Sequence, residues 1–252
     1  MSNILELKGV NKKFGGVVAA KDVTFGIEAG KIYGLIGPNG AGKTTMMNII
    51  SGIYSPDSGS IFLEGEDITH IPAHMRPRMG IARTFQTPRF LQRSTIRDNL
   101  LLSMDLAEHS GYLRSYFSRQ SRKFEESLKY YMQYAGFEID LDKDMSSLTY
   151  GQMKILEIVR SLLADPKVML VDEPAAGLIS KEQTDAMNLL QIAAKEKNVA
   201  VLLIEHSMDL VMSSCEKIVV LNFGQVIAFG TSDEISSNED VITAYLGRDT
   251  DA

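Results

Sequence analysis

The sequence has no long apolar run. Among its 252 residues the purely apolar runs are short, such as 199–204. None approaches the roughly 20 residues that a membrane-spanning helix needs. Residues 1–10 carry Glu6 and Lys8 among their apolar positions, which argues against a secretory signal. The chain is not expected to cross a membrane by itself. Cysteine is nearly absent: the single Cys215 cannot form an internal disulfide and points to a reducing compartment. Next to an apolar stretch, it reads as a core filler. Basic residues are in deficit, 26 Lys and Arg against 32 Asp and Glu, a net charge of −6. That balance argues against sequence-independent nucleic-acid binding. There is no repeat of 20–50 residues and no low-complexity linker.

What remains is an ordinary globular composition, 44% hydrophobic and 23% charged, which excludes low-complexity disorder. The length allows one large domain or two small ones with a sizeable core. Residues 4–10, 17–27, 31–36 and 60–63 read as strands. Gly15-Gly16 and the cluster 55–59 mark turns. From 87 to 147 the pattern becomes helical. Phe117, Phe124, Leu128, Tyr131 and Ala135 form an apolar stripe between charged positions, expected to pack on its own domain. Beyond 147, helices alternate with strands at 167–171 and 199–204, whose unbroken apolar character suits central parallel strands. Ser180 and Gln183 fit a capping box for a helix from Lys181. A final strand pair, 217–221 and 225–229, is joined at Asn222-Phe223-Gly224, with Asn and Gly as turn formers.

Two segments carry chemistry. Gly37-Pro38-Asn39-Gly40-Ala41-Gly42-Lys43-Thr44 fits G-x-x-x-x-G-K-[ST] between a predicted strand and a predicted helix. Glycines let backbone amides cradle phosphate oxygens, and the helix beginning near Gly42 points its positive end at them. Lys43 is expected to reach the β- and γ-phosphates, Thr44 to coordinate Mg²⁺, and Thr45 to donate to the α-phosphate. The second segment is Asp172-Glu173-Pro174, after a buried strand. A strand's carboxyl edge is where an α/β sheet binds ligand. Asp172 is expected to bind Mg²⁺ through water, and Glu173 to polarise the attacking water. His206 follows another buried strand, where its imidazole can donate to a γ-phosphate. His70, His74 and His109 lack such a setting and are assigned to the surface.

Taken in order, the phosphate loop, Gln86 in Ala82-Arg83-Thr84-Phe85-Gln86, Leu148-Thr149-Tyr150-Gly151-Gln152, Leu170-Val171-Asp172-Glu173 and His206 resemble the motifs of an ABC-transporter ATPase subunit. The resemblance spans essentially the whole chain. It implies an α/β fold: a P-loop NTPase (RecA-like) core with an antiparallel β subdomain and an inserted α-helical subdomain. The core and β subdomain would take 1–86 and 160–232, the helical subdomain with the signature segment 87–159, and C-terminal helices 233–252. It also implies ATP with Mg²⁺, and two cassettes paired head to tail, each ATP lying between one phosphate loop and the other's signature segment.

On that resemblance Phe14 stacks on adenine, while Asn39, Gly40, Ala41, Gly42, Lys43, Thr44 and Thr45 hold the phosphates. Gln86 senses Mg²⁺ and the γ-phosphate and couples to the membrane subunit. Thr149, Gly151 and Gln152 contact the partner's γ-phosphate. Ala175-Ala176-Gly177-Leu178 is similar to the D-loop. The segment departs from the common LSGGQ, with Thr149 for Ser and Tyr150 for the first Gly. Tyr150 would be strained if the backbone there needed a positive φ. Ile179 stands where the D-loop usually has Asp.

LTYGQ together with DEPAAGL resembles an ATPase subunit of branched-chain (hydrophobic) amino-acid importers. Agreement extends to Thr87-Pro88-Arg89, the helical insert around 112–135 and the ending at 240–247. Importers for urea, amides or aromatic acids share much of this pattern. The implied partners are two membrane-spanning permease subunits, a second ATPase subunit and, indirectly, an extracytoplasmic solute-binding protein, with no nucleic acid. The implied place is the cytoplasmic side of the cell (inner) membrane, held peripherally. The competing classes are a soluble ABC ATPase acting on nucleic acid or ribosomes, and a regulatory nucleotide-binding module without turnover.

Overall fold

A computed structural model of the chain describes residues 3–107 and 119–246. Phe117, His109, Gly247 and the stretch 112–118 of the expected insert lie outside them. The first two strands, β1 (Asn3–Phe14) and β2 (Val17–Glu28), pair antiparallel around the Gly15-Gly16 turn. With β4 (Ser58–Leu63) and β5 (Glu66–Asp67) they make a four-stranded sheet in the order β2-β1-β4-β5.

The second sheet has six strands. They are β3 (Ile32–Ile36), β6 (Ile81–Arg83), β7 (Val168–Asp172), β8 (Ala200–Ile204), β9 (Lys217–Asn222) and β10 (Gln225–Gly230), in the order β10-β9-β3-β8-β7-β6. All neighbours are parallel except the edge strand β10. All five residues of β3 and of β8 are buried, as strands covered on both faces must be. Alternation divides the core accordingly. Ile32, Met169, Val171, Val201 and Leu203 face one apolar cluster, Tyr33, Leu35, Leu170, Leu202 and Leu221 the other. Each fully buried aliphatic side chain here contributes about 1.5–3 kcal/mol.

The first cluster is closed by helices α2 (Ile96–Ala107), α3 (Arg119–Met132), α4 (Tyr150–Leu163) and α5 (Ser180–Lys197). Phe124, Leu128, Tyr131 and Ala135 are all buried in it, so these four residues of the stripe pack on their own chain. The second cluster lies between the large sheet, α1 (Lys43–Ile50) and the small sheet. Helices α6 (Met208–Ser214), α7 (Ser232–Ser236) and α8 (Glu239–Leu246) complete the described chain. The boundary expected at residue 160 falls within α4. Among the described residues no helix is long and apolar enough to cross a membrane.

Three local expectations need correction. Helix α5 starts at Ser180, not Lys181, with Ile179 as its cap, so the Ser180–Gln183 box does not form. Instead Glu182 accepts the Ile179 N–H at 3.1 Å. In the β9–β10 turn the left-handed residues are Phe223 (φ 45°) and Gly224 (φ 77°), while Asn222 ends the strand. Tyr150 is the first residue of α4 and carries no positive φ, so its bulk brings no backbone strain. Cys215 is buried, and burial pushes its thiol up to about 12. His70 and His74 are exposed.

Candidate nucleotide site

The site gathers where parallel strands end. The loop from Gly37 to Gly42 leaves β3 and enters α1 at Lys43. Two of its glycines are dictated by space as well as by φ. A Cβ on Gly37 would lie 2.1 Å from the Leu221 carbonyl oxygen, and one on Gly42 (φ 106°) 2.5 Å from that of Ala19. No side chain caps the start of α1, which leaves its first amides and the positive end of the helix dipole to an anion. Asn39, Gly40 and Thr44 are exposed, Thr45 half-buried and Ala41 buried. Lys43 is 8% exposed, and its Nζ donates to the carbonyls of Gly37 (2.6 Å) and Pro38 (3.1 Å). Burial lowers its pKa, and the carboxylates of Glu173 and Asp172 raise it.

Phe14, at the end of β1, is 41% exposed, so it is not a core residue. Its ring meets that of Tyr54 edge-on at 5.1 Å. The Lys12 ammonium also lies over the ring, 5.5 Å from its centre, so a base stacking on Phe14 would share or displace that flexible side chain.

Across the sheet, Asp172 ends β7 with its side chain mostly buried, 3.7 Å from Arg83 Nη2. Burial raises its pKa and Arg83 opposes that. Glu173 adopts φ 49°. Its Oε2 accepts from Gln86 Nε2 at 2.8 Å, and its Oε1 lies 2.7 Å from His206 Nε2. Its own N–H donates to Ile204 O. Gln86, Glu173 and His206 are thus brought together, and Lys43 lies within electrostatic reach of Glu173 and Asp172.

Thr149, Gly151 and Gln152 stand apart from this cluster, at the start of α4. Thr149 caps the helix: its Oγ1 accepts the Gln152 N–H at 3.2 Å, and Gln152 Oε1 accepts the Thr149 N–H at 2.9 Å. This reciprocal pair is a capping box.

Sequence reading passed over several buried charges that support the site. Lys154 donates to the Glu173 carbonyl at 2.5 Å. Glu205 accepts the N–H of Ala175 at 2.7 Å and that of His206 at 3.2 Å. Glu157 accepts the Phe85 N–H at 3.3 Å and lies 3.5 Å from Arg160. The available signal was charge at every third position, Lys154, Glu157 and Arg160, in a helix otherwise apolar on that side.

A phosphate loop, an acidic strand end and a histidine past the next strand, all on one parallel sheet beside an antiparallel one, define an ATP-binding cassette. The comparisons with known proteins agree. The ABC transporter family matches residues 20–176, and a second family, branched-chain amino acid ATP-binding cassette transporter, matches 225–251. The chain belongs to the ABC transporter family as its nucleotide-binding, ATP-hydrolysing subunit.

Relatives include the high-affinity branched-chain amino acid transport ATP-binding protein BraF of Pseudomonas aeruginosa, 41% identical over 97% of this chain and 98% of its own. LivG of Escherichia coli, of the same description, is 36% identical over the same shares. Among solved structures, a nucleotide-free ATP-binding cassette from an ABC transporter superposes with TM-score 0.83, 30% identity and coverage of 98% and 100%. The ADP conformation of an ABC transporter cassette gives TM-score 0.83, 31% identity and the same coverage. A dimeric bacterial ABC transporter cassette gives 0.76, 26% identity and coverage of 90% and 98%.

Proposed function

We propose that the chain powers import of branched-chain amino acids, from the cytoplasmic face of the membrane, through two separate permease subunits. The observation that carries the catalytic part is the grip on Glu173 by Gln86 and His206, beside a phosphate loop. In this reading the adenine stacks on Phe14. The triphosphate lies on the amides from Asn39 to Thr45 and on the start of α1. Lys43 exchanges the carbonyls of Gly37 and Pro38 for β- and γ-phosphate oxygens. Glu173 takes a proton from water as that water attacks the γ-phosphorus in line. The bond to the β-phosphate oxygen breaks, and ADP and phosphate leave. His206 and Gln86 exchange the Glu173 carboxylate for the γ-phosphate and the water.

Asp172, Thr44 and Gln86 offer only oxygen donors, the set that Mg²⁺ takes alongside phosphate oxygens. The ion would neutralise charge developing on the β- and γ-phosphates.

The second ATPase subunit presents Thr149, Gly151 and Gln152 from its own α4. The dimeric cassette among the structural neighbours supports such a pair. A groove of about 560 Å³ opens beside Phe85, lined by Arg83, Arg89, Phe90, Leu91 and Arg160. It lies between the core strands and α2, next to Gln86. We assign it to a permease segment, which would carry motion from the nucleotide site to the membrane. The relatives' transport of branched-chain amino acids supports that cargo, delivered by a solute-binding protein.

The test is ATPase stimulation of the intact complex in detergent. Solute-binding protein loaded with leucine, isoleucine or valine is expected to stimulate it. Stimulation by urea or an amide instead would reassign the cargo. Retention of the chain on RNA or DNA at moderate salt, with no permease co-purifying, would reject transport.

A further inference from the structure

Glu173 is an unusual place for a side chain that has to be aimed. It adopts a left-handed φ of 49°, which L-residues with a Cβ disfavour. It also precedes Pro174, whose ring restricts the conformation of the residue before it. The peptide bond between them has no N–H, so the Glu173 carbonyl is its only polar handle. That oxygen accepts from Lys154 Nζ at 2.5 Å and from the Ala176 N–H at 3.3 Å. Lys154 is 3% exposed. The carboxylates of Glu157, Glu205, Glu173 and Asp172 all act on its charge. A buried ammonium with that surrounding is costly to move, because an uncompensated charge would be left behind.

We infer that Lys154 is a positioning residue for hydrolysis: its buried ammonium, anchored on the Glu173 carbonyl, holds Glu173 in the turn that delivers its carboxylate to Gln86 and His206. The inference rests on Glu173 being the general base. Without the anchor, residue 173 relaxes toward the extended conformation favoured before proline, and its carboxylate leaves the nucleotide site. Lys154 stands three residues after Gly151 on the same helix. The segment offered to a second cassette is therefore tied rigidly to the general base of its own chain.

The test compares Lys154→Met, Lys154→Gln, Lys154→Arg and Glu173→Gln in the full chain. It reads kcat and KM for ATP, nucleotide affinity by direct binding, and Tm. Lys154→Met is expected to lower kcat at least fivefold with ATP affinity within twofold of wild type. Lys154→Arg, which keeps the charge and the donor, is expected to recover most of the loss. A smaller fall in kcat overturns the inference, as does an equal loss in the Met and Arg forms. Loss of fold or of ATP binding in both Lys154→Met and Lys154→Gln overturns it too, by making the amine merely structural. The control separates the two ideas. If Glu173→Gln turns over ATP at the wild-type rate, the general-base reading itself fails. If Glu173→Gln is inactive and Lys154→Met is not, only the role of Lys154 fails.

Discussion

His206 and Glu173 meet directly, Nε2 to Oε1, at 2.7 Å. The histidine comes from the end of β8 and the glutamate from the end of β7, so two adjacent parallel strands deliver one hydrogen bond. Gln86, beyond the end of β6, supplies a second to the other carboxylate oxygen. Glu173→Gln keeps the size and one acceptor oxygen but removes the base. The expected result is retained ATP binding with turnover reduced by about 10²–10⁴, the usual worth of a positioned general base. The closed pair then accumulates, which size-exclusion chromatography with ATP reads out. Turnover at the wild-type rate would reject the assignment.

Lys43 rests on carbonyls of its own loop, and those bonds are replaceable by phosphate oxygens. Lys43→Ala removes charged hydrogen bonds that are worth about 1.5–3 kcal/mol each. Losing one such bond lowers ATP affinity by about 10- to 100-fold, so the expected fall is at least that large. Binding of a fluorescent ATP analogue measures this; unchanged affinity would mean that the lysine does not reach the phosphates.

Much of this was legible in the sequence because it is local. Gly37, Gly40 and Gly42 announce a loop by spacing, and unbroken apolar runs announce β7 and β8. The Asp172-Glu173 pair follows its strand directly. What was hidden depends on chain segments far apart in sequence. Arg83 beside Asp172 is read only once β6 and β7 are known to be neighbours. Glu205, beside His206, carries no sequence motif of its own, yet it is buried and holds the Ala175 amide. Ser180 is the stronger intrinsic cap, but the turn over 174–177 delivers the chain so that Ile179 takes the cap position and α5 starts one residue early.

Tyr150 sits unstrained as the first residue of α4, and its neighbour Thr149 caps that helix. Thr149→Ala deletes the side-chain acceptor of the capping box, at a cost of about 1 kcal/mol. For a chain of this size that is a Tm lower by about 2–4 °C, which differential scanning calorimetry resolves. Thr149→Ser keeps the oxygen and is expected to stay near wild type. An Ala variant as stable as wild type would show that the box contributes nothing.

Glu157 gives a pH dependence with a definite sign. It is 1% exposed, and burial raises its carboxyl from the ordinary 4.5 to about 7, against the pull of Arg160. A carboxyl with a raised folded pKa binds more protons in the folded chain than in the unfolded chain between those values. Stability from this group is therefore full below about pH 4.5 and is lost as pH rises toward about 7. At 1.36 kcal/mol per pKa unit the loss is of the order of 3 kcal/mol. Glu157→Gln stays neutral and keeps an acceptor for the Phe85 N–H. Its unfolding free energy is expected to fall less than that of wild type between pH 5 and pH 8, the difference closing at the acid end. Parallel denaturation curves for the two proteins across that range would mean that Glu157 is ionised throughout, with Arg160 as a full partner.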